Sequence, residues 1–244
     1  MIKGKKMLVV SAHAADYVWR SGGTIAKYVE EGADVTVVVL SFGVRGESNG
    51  LWKKEGNTYD SIKAIRRQET ENAARELGLP ADKLECWDYM DYNIPITAEL
   101  EDRLVRKIRE VRPDIILTHD KSDILNPDHN AVHDLVWRCS ILSNSNGVLT
   151  DGLATTKQMR LFGFEPHQTE ISGYKPDEFI DITSVYDKKV KAMNCFQGQK
   201  HLIEYYTQRA FMRGNHARRL SGNGAYSYAE SFANFYPVVA EELI

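Results

Sequence analysis

In the first half of the chain, short apolar runs alternate with longer stretches of helical period. Residues 7–10 (Met, Leu, Val, Val) are an unbroken apolar run, the mark of a strand buried on both faces in a parallel sheet. Residues 17–31 then read as a helix that stops at Gly32. Residues 35–40 form a second β-branched run, followed by a polar, glycine-containing loop from Phe42 to about Tyr59. From Ser61 to Leu77 the apolar positions Ile62, Ile65, Ala73, Ala74 and Leu77 recur with helical spacing, and Gly78 supplies the stop. Residues 84–87 are a weaker strand, 98–111 an amphipathic helix that leaves at Pro113, 115–117 a buried strand and 129–142 a helix. Successive βα units of this kind predict an α/β fold, Rossmann-like, with a mostly parallel sheet and helices on both faces.

The second half changes character. Residues 161–164 and 179–182 have strand composition, and Thr183 or Ser184 is placed to cap a helix running to about Phe196, with Asp187 in its first turn. Beyond Gly198 the chain is rich in Tyr, Phe, Arg and Asn, which suits packing or a subunit contact. With no repeat, low-complexity tract or linker, residues 1–244 are expected to form one α/β domain with a helical and aromatic extension from about 198.

Composition narrows the class. The net charge of −3 comes with no basic stripe, so a nucleic-acid partner is not expected. No apolar run approaches the ~18 residues a membrane span needs. The N-terminal lysines lead straight into a strand without a cleavage site, and the three cysteines are odd in number and far apart. Together these point to a cytoplasmic protein with reduced thiols.

Ligands of open parallel sheets bind beyond the carboxyl ends of the strands. His13 and Asp16 follow the first predicted strand, and Arg45 and Glu47 the second. His119, Asp120, Asn126, Asp128 and His129 follow residues 115–117, and Glu165 and His167 follow residues 161–164. Four strand ends therefore deliver titratable groups to one edge. His13 and Asp16, three apart at a strand-to-helix turn, suit one ion, and a distant His would complete three ligands with an open position, as in catalytic zinc. The same spacing also suits a histidine satisfied in a turn with Asp16 as helix N-cap. His129 and His133, four apart on a helix, could each be a ligand or a surface residue.

Ser11-Ala12-His13-Ala14-Ala15-Asp16 resembles the Ala-His-Pro-Asp-Asp opening of the LmbE/PIG-L zinc deacetylase superfamily, and Asn126-Pro127-Asp128-His129 resembles its His-Pro-Asp-His motif. The resemblance implies Zn²⁺ held by His13, Asp16 and His129, with Asp128 orienting a neighbour and His133 structural. Two positions depart from the pattern. The family's general-base Asp is Ala15 here, and the His that assists the oxyanion is Asn126. A methyl group cannot take a proton from water.

Longer strings resemble one divergent branch, the zinc-dependent 4-oxalomesaconate hydratases: residues 11–20, 40–48 with Leu51-Trp52-Lys53, 164–168, 181–185 and 204–207. That branch also lacks the deacetylase base. The resemblance implies a homo-oligomeric hydratase of aromatic-acid catabolism, adding water to a small unsaturated oxo-tricarboxylate. Glu47 would then be the base, His167 the acid or proton shuttle, and Arg20, Arg45 and Asn126 the substrate contacts. Lys121 and Arg213 are further carboxylate partners by charge alone, and His119 a neighbour of the ligands. Trp19 is expected to pack, and His201 and His216 to be structural or exposed. The alternatives are a zinc-dependent N-deacetylase of an amino sugar or related amide, and a non-catalytic metal- or ligand-binding protein.

Overall fold

The computed structural model describes residues 2–237 and 239. In chain order the elements are β1 (Lys6–His13), α1 (Asp16–Glu30), β2 (Asp34–Ser41), the single turn α2 (Asn49–Trp52), α3 (Tyr59–Glu76), β3 (Leu84–Cys86), α4 (Ala98–Val111), β4 (Ile115–His119), α5 (Pro127–Asn144), β5 (Arg160–Phe164), β6 (Glu178–Asp181), α6 (Tyr186–Asn194), α7 (His201–Ser221) and β7 (Ala229–Asn234). The sheet order is β3-β2-β1-β4-β5-β7-β6. The first five strands are parallel, and β7 runs antiparallel between β5 and β6.

The unbroken apolar run of β1 follows from its place at the centre. Met7 and Val9 point into the core under α1, α3, α6 and α7, while Leu8, Val10 and Ala12 point into the core under α4 and α5. A strand buried on both faces favours apolar side chains along most of its length, and in β1 the buried polar ones, Ser11 and His13, come only near its carboxyl end. At β1 the strand order reverses, because the chain runs outward to β2 and β3 and then returns to β4. The carboxyl ends of β1 and β4 therefore flank the crevice where open α/β sheets bind ligands.

The C-terminal half departs from the sequence pattern in two places. The helix after β6 starts at Tyr186 and has no side-chain cap; residues Thr183–Val185 form a 3-10 turn. The Thr183 hydroxyl is otherwise engaged. It donates to Asp181 and accepts the backbone N–H groups of Ser227 and Tyr228, at 2.9 and 3.1 Å. This pins the entry to β7, a strand that hydrophobic alternation does not announce. Its sequence, Ala-Glu-Ser-Phe-Ala-Asn, places Glu230 in the core. There Glu230 accepts the N–H groups of Gly23 and Thr24 and pairs with Lys189, whose ammonium also donates to the Trp19 carbonyl. The buried pair supplies partners to backbone groups in the middle of α1. Among the described residues no helix is long and apolar enough to cross a membrane.

Gly214 of α7 passes against the backbone leading into β7, and a methyl group there would lie 2.1 Å from the Ser227 carbonyl oxygen. Glycine to alanine inside a helix normally gains about 1 kcal/mol. Gly214→Ala is instead expected to cost about 1–3 kcal/mol, the range for overpacking. Gly224→Ala, in open space, should leave stability near wild type. Urea melts of both variants make the comparison; an unchanged Gly214→Ala would mean that α7 is not seated on this segment.

Candidate active site

His13 ends β1 and Asp16 opens α1 three residues later, where Ala15 holds the N-cap position without a side-chain cap. The tight turn folds the Asp16 carboxylate back, so that its Oδ2 accepts the His13 backbone N–H at 2.8 Å. His129 lies in the first turn of α5, which starts at Pro127. His13 Nδ1 stands 3.2 Å from Asp16 Oδ2, His129 Nε2 stands 3.3 Å from the same oxygen, and the two nitrogens are 3.3 Å apart. An ion bound ~2.0 Å from tetrahedral donors would separate them by roughly 3.3 Å. The three atoms thus form one face of a tetrahedron of the right size, and all three residues are buried.

The far side of each imidazole is held by a carboxylate. His13 Nε2 meets Asp128 Oδ2 at 3.0 Å, and His129 Nδ1 meets Asp123 Oδ2 at 2.9 Å. Carboxylates on the outer nitrogens keep the proton there and turn the lone pairs of the inner nitrogens towards a shared ion. Asp128 is fixed in turn by the N–H groups of Tyr92 and Ile94, at 2.6 and 3.4 Å. His119 stacks on the His129 ring with centroids 4.0 Å apart, and its Nε2 accepts the Ala12 N–H at 3.0 Å. Burial and the neighbouring His129 hold His119 well below the usual histidine range, so it is neutral.

The balance of charge favours a cation. Burial works against a charged His13, but Asp128, Asp16 and then Glu47 outweigh it and push its pKa up to about 10. Burial likewise disfavours the Asp16 carboxylate, yet His129 and His13 hold it well below the usual carboxylate range. In the metal-free protein, a proton on His13 offsets part of the carboxylate charge that a divalent ion would meet.

A cleft of ≈ 210 Å³ opens beside this cluster, with Asp16, Arg20, Glu47, Asn126, His167 and Gln199 in its wall. Glu47 enters from the loop after β2. That loop is tied down by the Asp91 carboxylate, which accepts the N–H groups of Arg45 and Gly46 at 3.0 and 2.7 Å. Position 46 must be glycine, since a Cβ there would overlap the Tyr92 ring at 2.0 Å. Glu47 Oε1 accepts from the Tyr92 hydroxyl at 3.1 Å and from Asn126 Nδ2 at 3.0 Å, and Oε2 accepts from Gln199 Nε2 at 3.0 Å. All three neighbours donate, so the arrangement suits the ionised carboxylate. Oε1 lies 3.9 Å from His13 Nδ1, on the ion-facing side. His167 stacks on Tyr205 with centroids 4.4 Å apart; burial, followed by Arg20 and Arg209, lowers its pKa to about 4.

The remaining sequence candidates separate. Arg20 lines the cleft, with Nη1 on the Glu165 carbonyl at 2.9 Å and Nη2 on Asp123 at 3.3 Å. Trp19 packs on Tyr206 and Phe196. Arg45 is exposed and outside the cleft wall, as is Lys121, which lies with His133 in a different cleft. Arg213 is bound to the Glu165 carboxylate at 2.8 and 2.5 Å, so it holds β5's end in place. His133 contacts the His119 carbonyl at 3.0 Å, away from the His-Asp-His cluster. His216 contacts Arg213, and exposed His201 lines the cleft. Sequence reasoning missed Asp123, Tyr92 and Gln199. The strand-end rule reaches Asp123 and Tyr92, which follow β4 and β3 as His129 and Glu47 follow β4 and β2. Nothing local marks Gln199, which precedes a helix far along the chain.

Fold and site together define an α/β protein with a candidate metal centre at the switch point of its sheet. Residues 8–140 match the family model described as PIG-L, GlcNAc-PI de-N-acetylase. The chain belongs to this PIG-L/LmbE family. It is 41% identical over 242 residues to the 4-oxalmesaconate hydratase of Pseudomonas putida, covering 98% of this chain and 92% of the relative. It is 30% identical to the diacetylchitobiose deacetylase of Thermococcus kodakarensis, over 80% of this chain and 70% of the relative. Among solved structures, GalB, the 4-carboxy-2-hydroxymuconate hydratase from Pseudomonas putida, superimposes with a TM-score of 0.92 at 41% identity, covering 98% of this chain and 100% of that one. The N,N'-diacetylchitobiose deacetylase from Pyrococcus horikoshii superimposes at 0.78 with 26% identity, over 95% of this chain and 84% of that one.

Two outcomes follow from the geometry. His13→Ala and His129→Ala are expected to lose most bound metal by elemental analysis while His133→Ala keeps it; full occupancy in the first two would break the ligand assignment. Because the His13 pKa is raised to about 10, its ring is protonated at pH 8 in the metal-free protein, and a metal must displace that proton. Binding is expected to release about one proton per ion and to tighten as pH rises towards that value. Calorimetry in buffers of different ionisation enthalpy measures it; proton release near zero at pH 8 would contradict the charge state.

Proposed function

We propose that this protein is a zinc-dependent hydratase acting on a small unsaturated oxo-tricarboxylic acid: 4-oxalomesaconate or its enol, 4-carboxy-2-hydroxymuconate. The product would be 4-carboxy-4-hydroxy-2-oxoadipate. The observation that carries the reading is Glu47, held by three donors 3.9 Å from the ion-facing nitrogen of His13, in a chain where position 15 offers only a methyl group. The Pseudomonas putida hydratase, alike over nearly the whole chain, supports it.

The residues divide the work of water addition. Glu47 takes a proton from water, whose oxygen bonds to the alkene carbon that will carry the hydroxyl. The alkene electron pair moves towards the conjugated carbonyl, and the neighbouring carbon then accepts a proton, so that one water is consumed as one C–O and one C–H bond form. His167, with its pKa lowered to about 4, is neutral near pH 7. It suits a relay that picks up a proton and passes it to carbon, rather than a standing acid. Arg20 presents a guanidinium to a substrate carboxylate, and Asn126 holds Glu47 in register. A divalent ion, most simply Zn²⁺ given two imidazoles and a carboxylate, would polarise an oxygen of the oxo-acid.

Glu47→Gln and His167→Ala should each fold, retain metal and lose turnover of the conjugated substrate by about 10²-fold or more, the range for general acid–base groups. The loss is read from the fading diene absorbance. Variants as fast as wild type would remove these roles, and a metal-loaded wild type that leaves the compound untouched would remove the substrate. Release of amine from N-acetylglucosamine derivatives is expected to be negligible. Robust, chelator-sensitive release would favour the amide-hydrolase alternative that the metal-capable triad keeps open.

A further inference from the structure

Two carboxamides share Glu47. Asn126 Nδ2 donates to its Oε1 and Gln199 Nε2 to its Oε2, each at 3.0 Å. An ionised carboxylate only accepts, so it fixes which way both amides point, with NH₂ towards Glu47. Each amide oxygen must then find a donor elsewhere, and neither does. Asn126 Oδ1 and Gln199 Oε1 are both covered and have no hydrogen-bond partner among the described residues. Both side chains stand in the cleft wall, with residue exposures of only 7% and 5%. A covered acceptor without a partner is costly and needs an explanation.

Flexibility of Gln199 is not that explanation. It lies at the end of the 3-10 turn Gln197–Gln199, one residue short of α7. The turn is anchored by the Gln197 N–H on buried Glu69 at 2.8 Å. Gly198 packs on Leu51, and its carbonyl closes on Gly50 of α2. Nor can substrate carboxylates satisfy the two oxygens, because they too are acceptors; Arg20 supplies the cleft's guanidinium for them. What an amide oxygen beside the base can receive is a hydroxyl hydrogen, and the product of water addition carries a new hydroxyl where Glu47 activates water.

We infer that Gln199 is a specificity-determining residue of this cleft: its amide oxygen, together with that of Asn126, receives the hydroxyl of a hydroxy-tricarboxylate and so distinguishes it from the same acid without the hydroxyl. The choice of ligand rests on the hydratase reading above. Hydroxyl recognition and Glu47 positioning are separate properties of one side chain, the first belonging to the oxygen and the second to the nitrogen.

The experiment separates them. Binding of 4-carboxy-4-hydroxy-2-oxoadipate and of its analogue with hydrogen in place of the hydroxyl is measured by calorimetry on the metal-loaded protein. The proteins compared are wild type, Gln199→Met and Gln199→Lys. Lysine keeps an N–H donor for Glu47 and offers no acceptor. Wild type is expected to prefer the hydroxy acid by about tenfold, the scale of one buried hydrogen bond. Both variants should lose most of that preference, with the hydroxyl-free acid bound much as before. A preference retained in Gln199→Lys would place hydroxyl recognition elsewhere, and equal weakening of both ligands would reduce Gln199 to shaping the cleft; either overturns the inference. So would failure of wild type to bind or to discriminate the two acids. Wild-type turnover is measured alongside: a hydroxyl preference that depends on Gln199 without hydration would sink the reaction and leave the inference standing.

Discussion

The site is organised around one oxygen atom. Asp16 Oδ2 lies 3.2 and 3.3 Å from the inner nitrogens of His13 and His129 and 3.5 Å from His119, in a part of the molecule almost closed to water. A buried anion in such a place must be paired or bound to a metal. The two imidazoles around it are backed by further carboxylates, Asp128 and Asp123, and Glu47 stands close by. Part of this negative charge is met by the Arg20 guanidinium beside Asp16 and Asp123; the rest favours a cation at the centre, a proton on His13 in the free protein or a divalent ion in its place.

Keeping that oxygen in position is a task for the whole sheet. β1 brings His13 to the switch point, and α1 starts immediately after it. The Lys189–Glu230 pair, from α6 and β7, bonds backbone groups of Trp19, Gly23 and Thr24 in the middle of α1. The last strand of the sheet thus braces the helix that carries Asp16 and Arg20. Tyr92 links the two halves of the site. Its N–H holds Asp128 behind His13, its hydroxyl holds Glu47 in front, and its backbone sits at φ 58 in the left-handed region to do both. Position 15 carries only a methyl group, and the Glu47 carboxylate reaches the site from another loop, supported by groups from β3's exit, the start of α5 and the turn before α7.

Much of this could be read from the chain. The alternation of apolar runs with helical periods reports which segments are buried on two faces and which on one, because burial is a local demand on residue type; β1 to β5 and their helices follow from it. The strand-to-helix turn brings His13 and Asp16 close together, but only the resemblance of the two motifs singles out His129 over His133 as their companion. β7 and the Lys189–Glu230 pair could not be read in this way. Their charged residues are buried only because partners from other segments meet them, and propensity does not record such partners.

The sequence by itself determined the parallel part of the sheet, the family and the residues from which the centre is made, since each of these is written in short-range pattern or in strings that stand together. Only the tertiary structure decided what those residues face. Arg45 and Lys121 carry the charge a carboxylate would seek, yet the turns around them point the side chains to solvent, while Arg213 is spent on Glu165. Gln199, ordinary in sequence, meets Glu47 across 152 positions of chain. Hydrogen bonds are directional and short in range, so which donor meets which acceptor is settled when distant segments pack.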